Sequence, residues 1–396
     1  MTQISTTRAA LAGLSASLVG IGLARFAYTP LIPALIAADW FAPAAVIYLG
    51  AANLAGYLAG ALAARPLAAW QPPAHVLRGM MLLATASFFA SIAPVSLAWF
   101  GTWRFAAGLA GGVIMVLAAP TILPHADPRR RGLVGGMIFT GVGLGIAASG
   151  TLVPLLLRVG LPATWTGLGA VSAGLTLLAW GGWPAGPAPA APRQAAPQPA
   201  WSRPVSALLL EYGLNAAGLV PHMVFLVDFV ARGLGRGLAA GSAYWVVYGV
   251  GALAGPLLTG ALADRTGFRT ALRLGFAVQA VAVALPACLP GAGWLALSAL
   301  VAGAFTPGVV PLVLGRVHEL LPGDHAAQRL VWGRTTMSWA LFQAGFAYFD
   351  SWLFAVSGSY ALLFALASFA LVLALLTDLL SGYSAAARAA SGSSAT

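Results

Sequence analysis

Gly260-Ala261-Leu262-Ala263-Asp264-Arg265-Thr266-Gly267-Phe268-Arg269 is a short charged island between two long apolar runs, about 239–262 before it and about 271–289 after it. Gly267 suits the tight turn that would reverse the chain between those runs. Shifted by 200 positions, Gly60-Ala61-Leu62-Ala63-Ala64-Arg65 lies over Gly260 to Arg265. Upstream in the same register Tyr48 matches Tyr248, Ala52 matches Ala252 and Leu58 matches Leu258. The same island at the end of the second apolar run in each half implies a chain built from two related parts.

Composition explains why the runs are so long. The chain has 396 residues, 60% hydrophobic and only 7% charged, against about 25% charged in soluble globular domains. That is too little polar surface to face water, so a string of soluble domains is excluded. Each crossing of a bilayer core about 30 Å thick takes about 20 helical residues. Runs of that kind fall at roughly 9–38, 44–64, 76–93, 96–121, 132–157 and 163–183, then at 205–230, 239–262, 271–289, 293–315, 327–351 and 358–381. Residues 274–315 carry no charge, and Pro286, Pro290, Gly291 and Gly293 mark the turn that divides them. The expected fold is therefore an all-α membrane protein of twelve transmembrane helices, arranged as two pseudo-symmetric six-helix bundles. Residues 1–183 form the first, and residues 205–396 form the second. The proline-rich segment 184–204 between them favours extended chain and reads as a cytoplasmic linker. The apolar stretch after Arg8 runs to about Ala38, too long for the core of a cleavable signal.

The net charge of +11, from 20 basic and 9 acidic residues, would suggest nucleic acid in a soluble protein. Here the arginines sit in short loops. With the N-terminus inside, fourteen fall in cytoplasmic segments and three, Arg158, Arg232 and Arg236, in outer loops. By the positive-inside rule both termini are then cytoplasmic. No partner beyond the lipid bilayer is implied: no nucleic acid and no obligate protein. Cys288 is the single cysteine, which leaves no disulfide framework and no thiolate metal site. His75, His125, His318 and His325 read as loop residues. No metal and no cofactor is expected, and the chain has neither a P-loop nor a hydrolase motif. It does not read as an enzyme.

The island at 260–269 resembles the signature loop of the major facilitator superfamily, G-x-L-A-D-R-x-G-R-[RK], departing only by Phe268 before Arg269. What this implies is a gating role for Gly260, Asp264, Arg265, Gly267 and Arg269. Gly260 would allow close helix contact, and the arginines would stay at lipid headgroups. Asp264 would face the positive N-terminal end of helix five, a contact that inward opening breaks. The first-half copy departs further: Ala64 stands in place of the Asp and Pro66-Leu67 in place of the turn. Helix four carries Arg104 followed by Gly108, Gly111 and Gly112, similar to the family's fourth-helix pattern. Helix five carries Gly132, Gly141 and Gly145 at the spacing of its antiporter motif, with Ile146 where that motif has Pro. Gly143 and Gly150 extend a small-residue face that allows close helix approach. Helix one, Gly20-x-Gly22-x-x-Arg25-Phe26-Ala27-Tyr28-x-Pro30-Leu31-x-Pro33, resembles the bacterial YbfB/YjiJ branch. The resemblance implies a multi-pass secondary transporter of the bacterial inner membrane, working by alternating access.

Charges inside helices mark candidate sites, since each costs roughly 2.5–3.5 kcal/mol at mid-bilayer on insertion scales. Arg25 lies near the middle of helix one and Arg104 somewhat outside the middle of helix four, two helices that line the central cavity in such transporters. Two guanidiniums with few acids nearby suit a carboxylate, so the expected cargo is a small organic anion. Tyr28, one turn on from Arg25, and Asn53 in helix two are the further candidate binding residues. Arg104 bracing backbone carbonyls is the plainer alternative. In helix seven, Glu211 and His222 are candidates for proton coupling; an ordinary imidazole titrates near neutrality. Pro221 loosens that helix just before His222. Glu211 lies at nearly the depth of Arg334 in helix eleven, so an ion pair between them is equally open. Asp228, near the outer end, reads as solvated. Two rival functions remain: a broad-specificity efflux pump for apolar compounds, and a polytopic sensor or enzyme that moves no solute.

Overall fold

The computed structural model describes residues 6–126, 131–184 and 202–393, so most of the proline-rich segment lies outside the described residues. Among them every regular element is helical. Twelve helices follow in order. The first half comprises α1 (Thr6–Ala37), α2 (Pro43–Trp70), α3 (Pro73–Ala90), α4 (Leu97–Ile122), α5 (Arg131–Leu157) and α6 (Leu161–Ala179). The second half comprises α7 (Arg203–Val224 continued by Leu226–Gly233), α8 (Gly237–Thr266), α9 (Phe268–Cys288), α10 (Ala292–Leu320), α11 (His325–Ser357) and α12 (Tyr360–Ser393). Nine of the described helices are long and apolar enough to cross a membrane, and ten if bent α7 is one span. The other two are more polar. α3 brings His75 and Arg78 into its first turns, and α11 carries Arg334, Gln343 and Asp350.

Packing shows the duplication directly. In the first half α2 packs along α4, α1 against α5 and α6, and α3 against α4 and α6. Six helices later the pattern recurs: α8 along α10, α7 against α11 and α12, α9 against α10 and α12. The two halves meet where α5 packs on α8 and α2 on α11, contacts that the same symmetry exchanges. Glycines set how closely the repeated pairs approach. A Cβ on Gly56, Gly60 or Gly108 would collide with the carbonyl oxygen of Phe105, Leu109 or Asn53. A Cβ on Gly251, Gly255 or Gly303 would collide with that of Leu300, Ala304 or Tyr248. Each glycine and each struck carbonyl of the second set lies 195 positions after its counterpart.

The repeat in space is therefore 195 residues and not the 200 that the Gly60–Arg65 likeness suggests. Ala-rich helices match at many offsets, whereas backbone contact fixes one. Two corrections follow. The Gly60–Arg65 stretch lies inside α2, which runs through Pro66 to Trp70 instead of ending near residue 64. Gly260 does not mediate close helix contact: a Cβ there would meet nothing within 4 Å. Gly267 does make the turn, at φ 79°.

Both helices that head a half are broken. α1 passes from α-helix through a π turn at Leu18–Leu23 into a 3-10 stretch at Phe26–Leu31 that contains Pro30. Local rewinding of this kind frees backbone groups and is common at functional sites. α7 bends by 42° between Val224 and Leu226, one turn after Pro221, where the ring removes a backbone donor. At the end of the molecule away from the Arg-rich loops the two breaks meet. There Thr29 Oγ1 donates to the Met223 carbonyl at 2.6 Å, and Leu31, Leu35, Phe225 and Leu226 are fully buried.

The α5 glycines divide between two neighbours. A Cβ on Gly141 or Gly145 would strike the backbone of α1 at Leu14 or Gly22, and one on Gly143 or Gly150 would press on α8 at Leu253 or Val246. At the basic end, Arg269 and Arg273 of α9 both pair with Asp378 of α12, the first at 3.4 Å. The Phe268 amide donates to Glu319 Oε1 at 3.1 Å, and Arg316 pairs with the same carboxylate at 2.9 Å. Arg269 is thus tied to protein and not left to lipid headgroups, because Asp378 supplies the carboxylate it would otherwise lack.

Candidate functional site

Arg25 stands at the junction between the two irregular turns of α1, and Arg104 comes from α4. Both are buried, at 8% and 3% exposure, and among the described residues neither meets a carboxylate. Aromatic faces cover them instead. The Arg104 guanidinium carbon lies 4.1 Å from the Tyr28 ring centre. That of Arg25 lies 4.8 Å from Phe26, 5.2 Å from Tyr57 and 5.7 Å from Trp339. Such contacts attract a cation through the ring quadrupole but supply no negative charge. Arg104 Nη1 donates to the Ala24 carbonyl at 2.9 Å, and Arg25 Nη2 to the thioether of Met223 at 3.3 Å, a weak acceptor. Among the described residues the Nε atoms of both arginines have no partner, nor has Asn53 Oδ1.

These groups converge. Arg25, Tyr28, Asn53 and Arg104 line one cavity together with Phe26, Thr29, Ile32, Gly50, Leu54, Met223 and Val224. It lies where α1, α2 and α4 face α7, and holds about 20 Å³, room for about one water. All four residues expected to bind cargo are therefore in one place. Tyr28 differs in detail: its hydroxyl donates to the Val46 carbonyl at 2.7 Å, so it offers the cavity a ring and not a hydrogen bond. A larger hollow of about 640 Å³ opens at the far end among Pro33, Trp40, Leu157, Leu161, Arg232 and Leu238. Its lining is apolar except for Arg232, which pairs with Asp228 at 3.3 Å.

The helix-seven residues lie elsewhere. Leu209 and Gly213 face α11, through Ser338 and Phe342. Glu211, between them, points half a turn away. No ion pair joins it to Arg334 among the described residues; the charges close enough to act on it are Asp378, Arg316, Arg269 and Arg273. Those two contacts set Glu211 level with about residue 340 of α11, more than a turn along from Arg334, and helical phase turns its side chain away as well. Further along the same face, Asn215 Nδ2 donates to Gln279 Oε1 at 2.8 Å. His222 Nε2 is 2.7 Å from Ser298 Oγ, with its ring on Phe364 at 5.1 Å. His222 is thus packed within the second half, tying α7 to α10 and α12. Asp228 is not solvated. It is fully buried, bonded by the Tyr360 hydroxyl at 2.5 Å and by Arg232.

Asp264 and Arg265 are exposed, and among the described residues Asp264 makes no hydrogen bond or ion pair. The first side chains of α5, its expected partner, lie outside the described ones. Sequence reasoning missed one face of α11. Trp339 covers Arg25, and Gln343 Nε2 reaches Met223 Sδ at 3.1 Å. Asp350 is buried at 3% exposure with Oδ2 unpartnered. Spacings of four and seven put the three on one stripe, a signal that was present in the sequence. Among the described residues no three His, Cys, Asp or Glu side chains cluster as metal ligands.

Two bundles of this topology, with a polar cavity at their junction, define a transporter of the major facilitator fold. A crystal structure of a mutant of the nucleoside transporter NupG is similar with a TM-score of 0.73 at 14% identity, over 94% of this chain and 99% of that one; at that identity the likeness is one of fold. Residues 17–379 match the family described as "Uncharacterised MFS-type transporter YbfB", and the chain belongs to that family. It is a multi-pass membrane transporter and not an enzyme. No curated protein matches the chain.

Proposed function

We propose that the protein is a secondary active transporter that carries a small organic anion by alternating access, coupled to protons. The observation that carries this reading is the pair of buried arginines on one cavity with no acidic partner: an unbalanced buried charge is costly, and an anionic cargo balances it. The two bundles would rock about that cavity. Thr29 and Met223 would close the far end, and the 260–269 turn would gate the basic end. Asp264, unengaged among the described residues while the far end is closed, would latch onto the start of α5 when that end opens. Gly267 supplies the turn that holds it, and Arg265 and Arg269 flank it.

Glu211 is the group we assign to proton exchange. It is buried near the basic end with no ion pair among the described residues, within reach of the field of Asp378, Arg269, Arg273 and Arg316. His222, held by Ser298, is the second candidate. The Arg-rich end would be cytoplasmic, with both termini there, in a bacterial inner membrane. The α5 glycines are occupied in packing on α1 and α8, so they lend no separate support to an efflux pump.

The test is uptake into proteoliposomes with an imposed pH gradient. An anion transporter accumulates carboxylates and not organic cations, follows the gradient, and loses the response in Glu211→Gln. Equal transport of cations and anions would contradict the proposal.

A further inference from the structure

The cavity wall also carries one buried acceptor with no donor among the described residues, Asn53 Oδ1, and its neighbour fixes which atom of the amide that is. Asn53 Nδ2 donates to the Arg104 carbonyl oxygen at 3.0 Å. A backbone carbonyl has no hydrogen to give, so the amide cannot stand the other way round, and Oδ1 must face away from it. Asn53 is 1% exposed, its Oδ1 has no partner, and it lies on the wall shared with Arg25 and Arg104. The neighbouring hydroxyls of Tyr28 and Thr29 give their protons to the Val46 and Met223 carbonyls, so each already has a partner while its oxygen can still accept. Of the fully buried polar atoms on this lining, those without a partner among the described residues are the Nε of Arg25, the Nε of Arg104 and Asn53 Oδ1.

A plain alkanoate would satisfy the guanidiniums and leave Oδ1 buried without a donor, a cost comparable to a lost hydrogen bond. A carboxylate with a hydroxyl on the adjacent carbon would satisfy both. An ammonium in that position would also donate, but it would face two guanidiniums with no acid on the cavity to balance it. We infer that the cargo is a 2-hydroxycarboxylate, its carboxylate between Arg25 and Arg104 and its hydroxyl on Asn53 Oδ1. The inference rests on the anion reading above and narrows it. The cavity, with room for about one water as it stands, has to widen as the bundles part; Phe26, Ile32, Leu54 and Val224 then receive the carbon skeleton, and Asn53 selects for the hydroxyl.

Isothermal titration of the purified full-length protein in detergent tests this with matched pairs: glycolate against acetate, lactate against propionate, malate against succinate. The expected result is that at least one hydroxy acid binds about tenfold or more tightly than its deoxy partner. In Asn53→Leu that ratio falls to about one. Should Asn53→Leu fail to fold, the wild-type ratio alone decides. Equal binding within every pair would overturn the inference and leave the anion reading standing, as would a hydroxyl preference that survives in Asn53→Leu. If none of the six acids binds, or Arg104→Ala binds them as wild type does, the anion reading falls and this inference with it.

Discussion

The α2–α4 and α8–α10 pairs have the same backbone geometry and opposite chemistry. Gly56, Gly60 and Gly108 bring the first pair together as Gly251, Gly255 and Gly303 bring the second. In the first pair the residues at the level of the cavity are Asn53 and Arg104, the amide bonded to the carbonyl. Their counterparts 195 positions on are Tyr248 and Ala299. Tyr248 stacks on Trp245 at 4.8 Å and its hydroxyl lies 2.5 Å from Thr306, while Ala299 is fully buried. Duplication kept the scaffold and let the charge pattern diverge, so that the cavity's two arginines both come from the first half. A rocking mechanism needs the backbones to match, whereas a binding site needs only one wall to hold the ligand.

Breaking the shared scaffold should cost most, and equally on either side. Gly108→Leu and Gly303→Leu each force two backbones apart, at about 3 kcal/mol or more. Loss of monodisperse protein and a collapsed melting transition in detergent are expected for both. If one is tolerated, the halves are not equivalent as scaffolds.

Changing the divergent chemistry should separate the halves. Arg104→Ala is expected to lower transport about 100-fold while the protein still folds, since a charge-assisted contact to cargo is lost. Ala299→Ser at the matching position should stay within about threefold. Arg104→Lys should recover little, because an ammonium neither forks onto a carboxylate nor stacks on Tyr28 as a guanidinium does. Initial rates in proteoliposomes, normalised to reconstituted protein, give all three values.

A smaller effect is expected where the halves touch. Thr29→Val removes the bond to the Met223 carbonyl, worth about 1 kcal/mol. That shifts the balance toward far-end opening by about fivefold, readable as labelling of a cysteine placed at Ala34. Unchanged labelling would remove Thr29 from the closure. The smallest effect should come from Tyr248→Phe, which gives up one hydroxyl contact for about 1 kcal/mol of stability and leaves transport intact.

Much of this architecture is legible in the sequence. The length of the apolar runs, the side on which the arginines lie and the turn at Gly267 each follow from local chemistry. Arg25 and Arg104 stand out because charge is rare in such helices, and they do share a cavity. What fails is whatever depends on helical phase or on long-range register. Glu211 and Arg334 read from the sequence as equal in depth, yet Leu209 and Gly213 claim the α11 side of that helix and meet Ser338 and Phe342, beyond Arg334. The 200-residue likeness is a match between Ala-rich segments, and only the colliding glycines reveal the 195-residue repeat. Asp228 reads as exposed from its place near a helix end, but Tyr360, far along the chain, covers it. Asp350 was visible as a charge in a helix, but its stripe with Trp339 and Gln343 gains meaning only once α11 is placed against Arg25.

The central claim is that Arg25 and Arg104 hold the cargo between two rocking bundles. Counterflow of a radiolabelled carboxylate in proteoliposomes tests it most directly, comparing wild type with Arg25→Ala and Arg104→Ala at matched reconstitution. The account predicts rapid exchange in the wild type and none above background in either variant, each still folded by its melting transition. Exchange at the wild-type rate in both variants would contradict it.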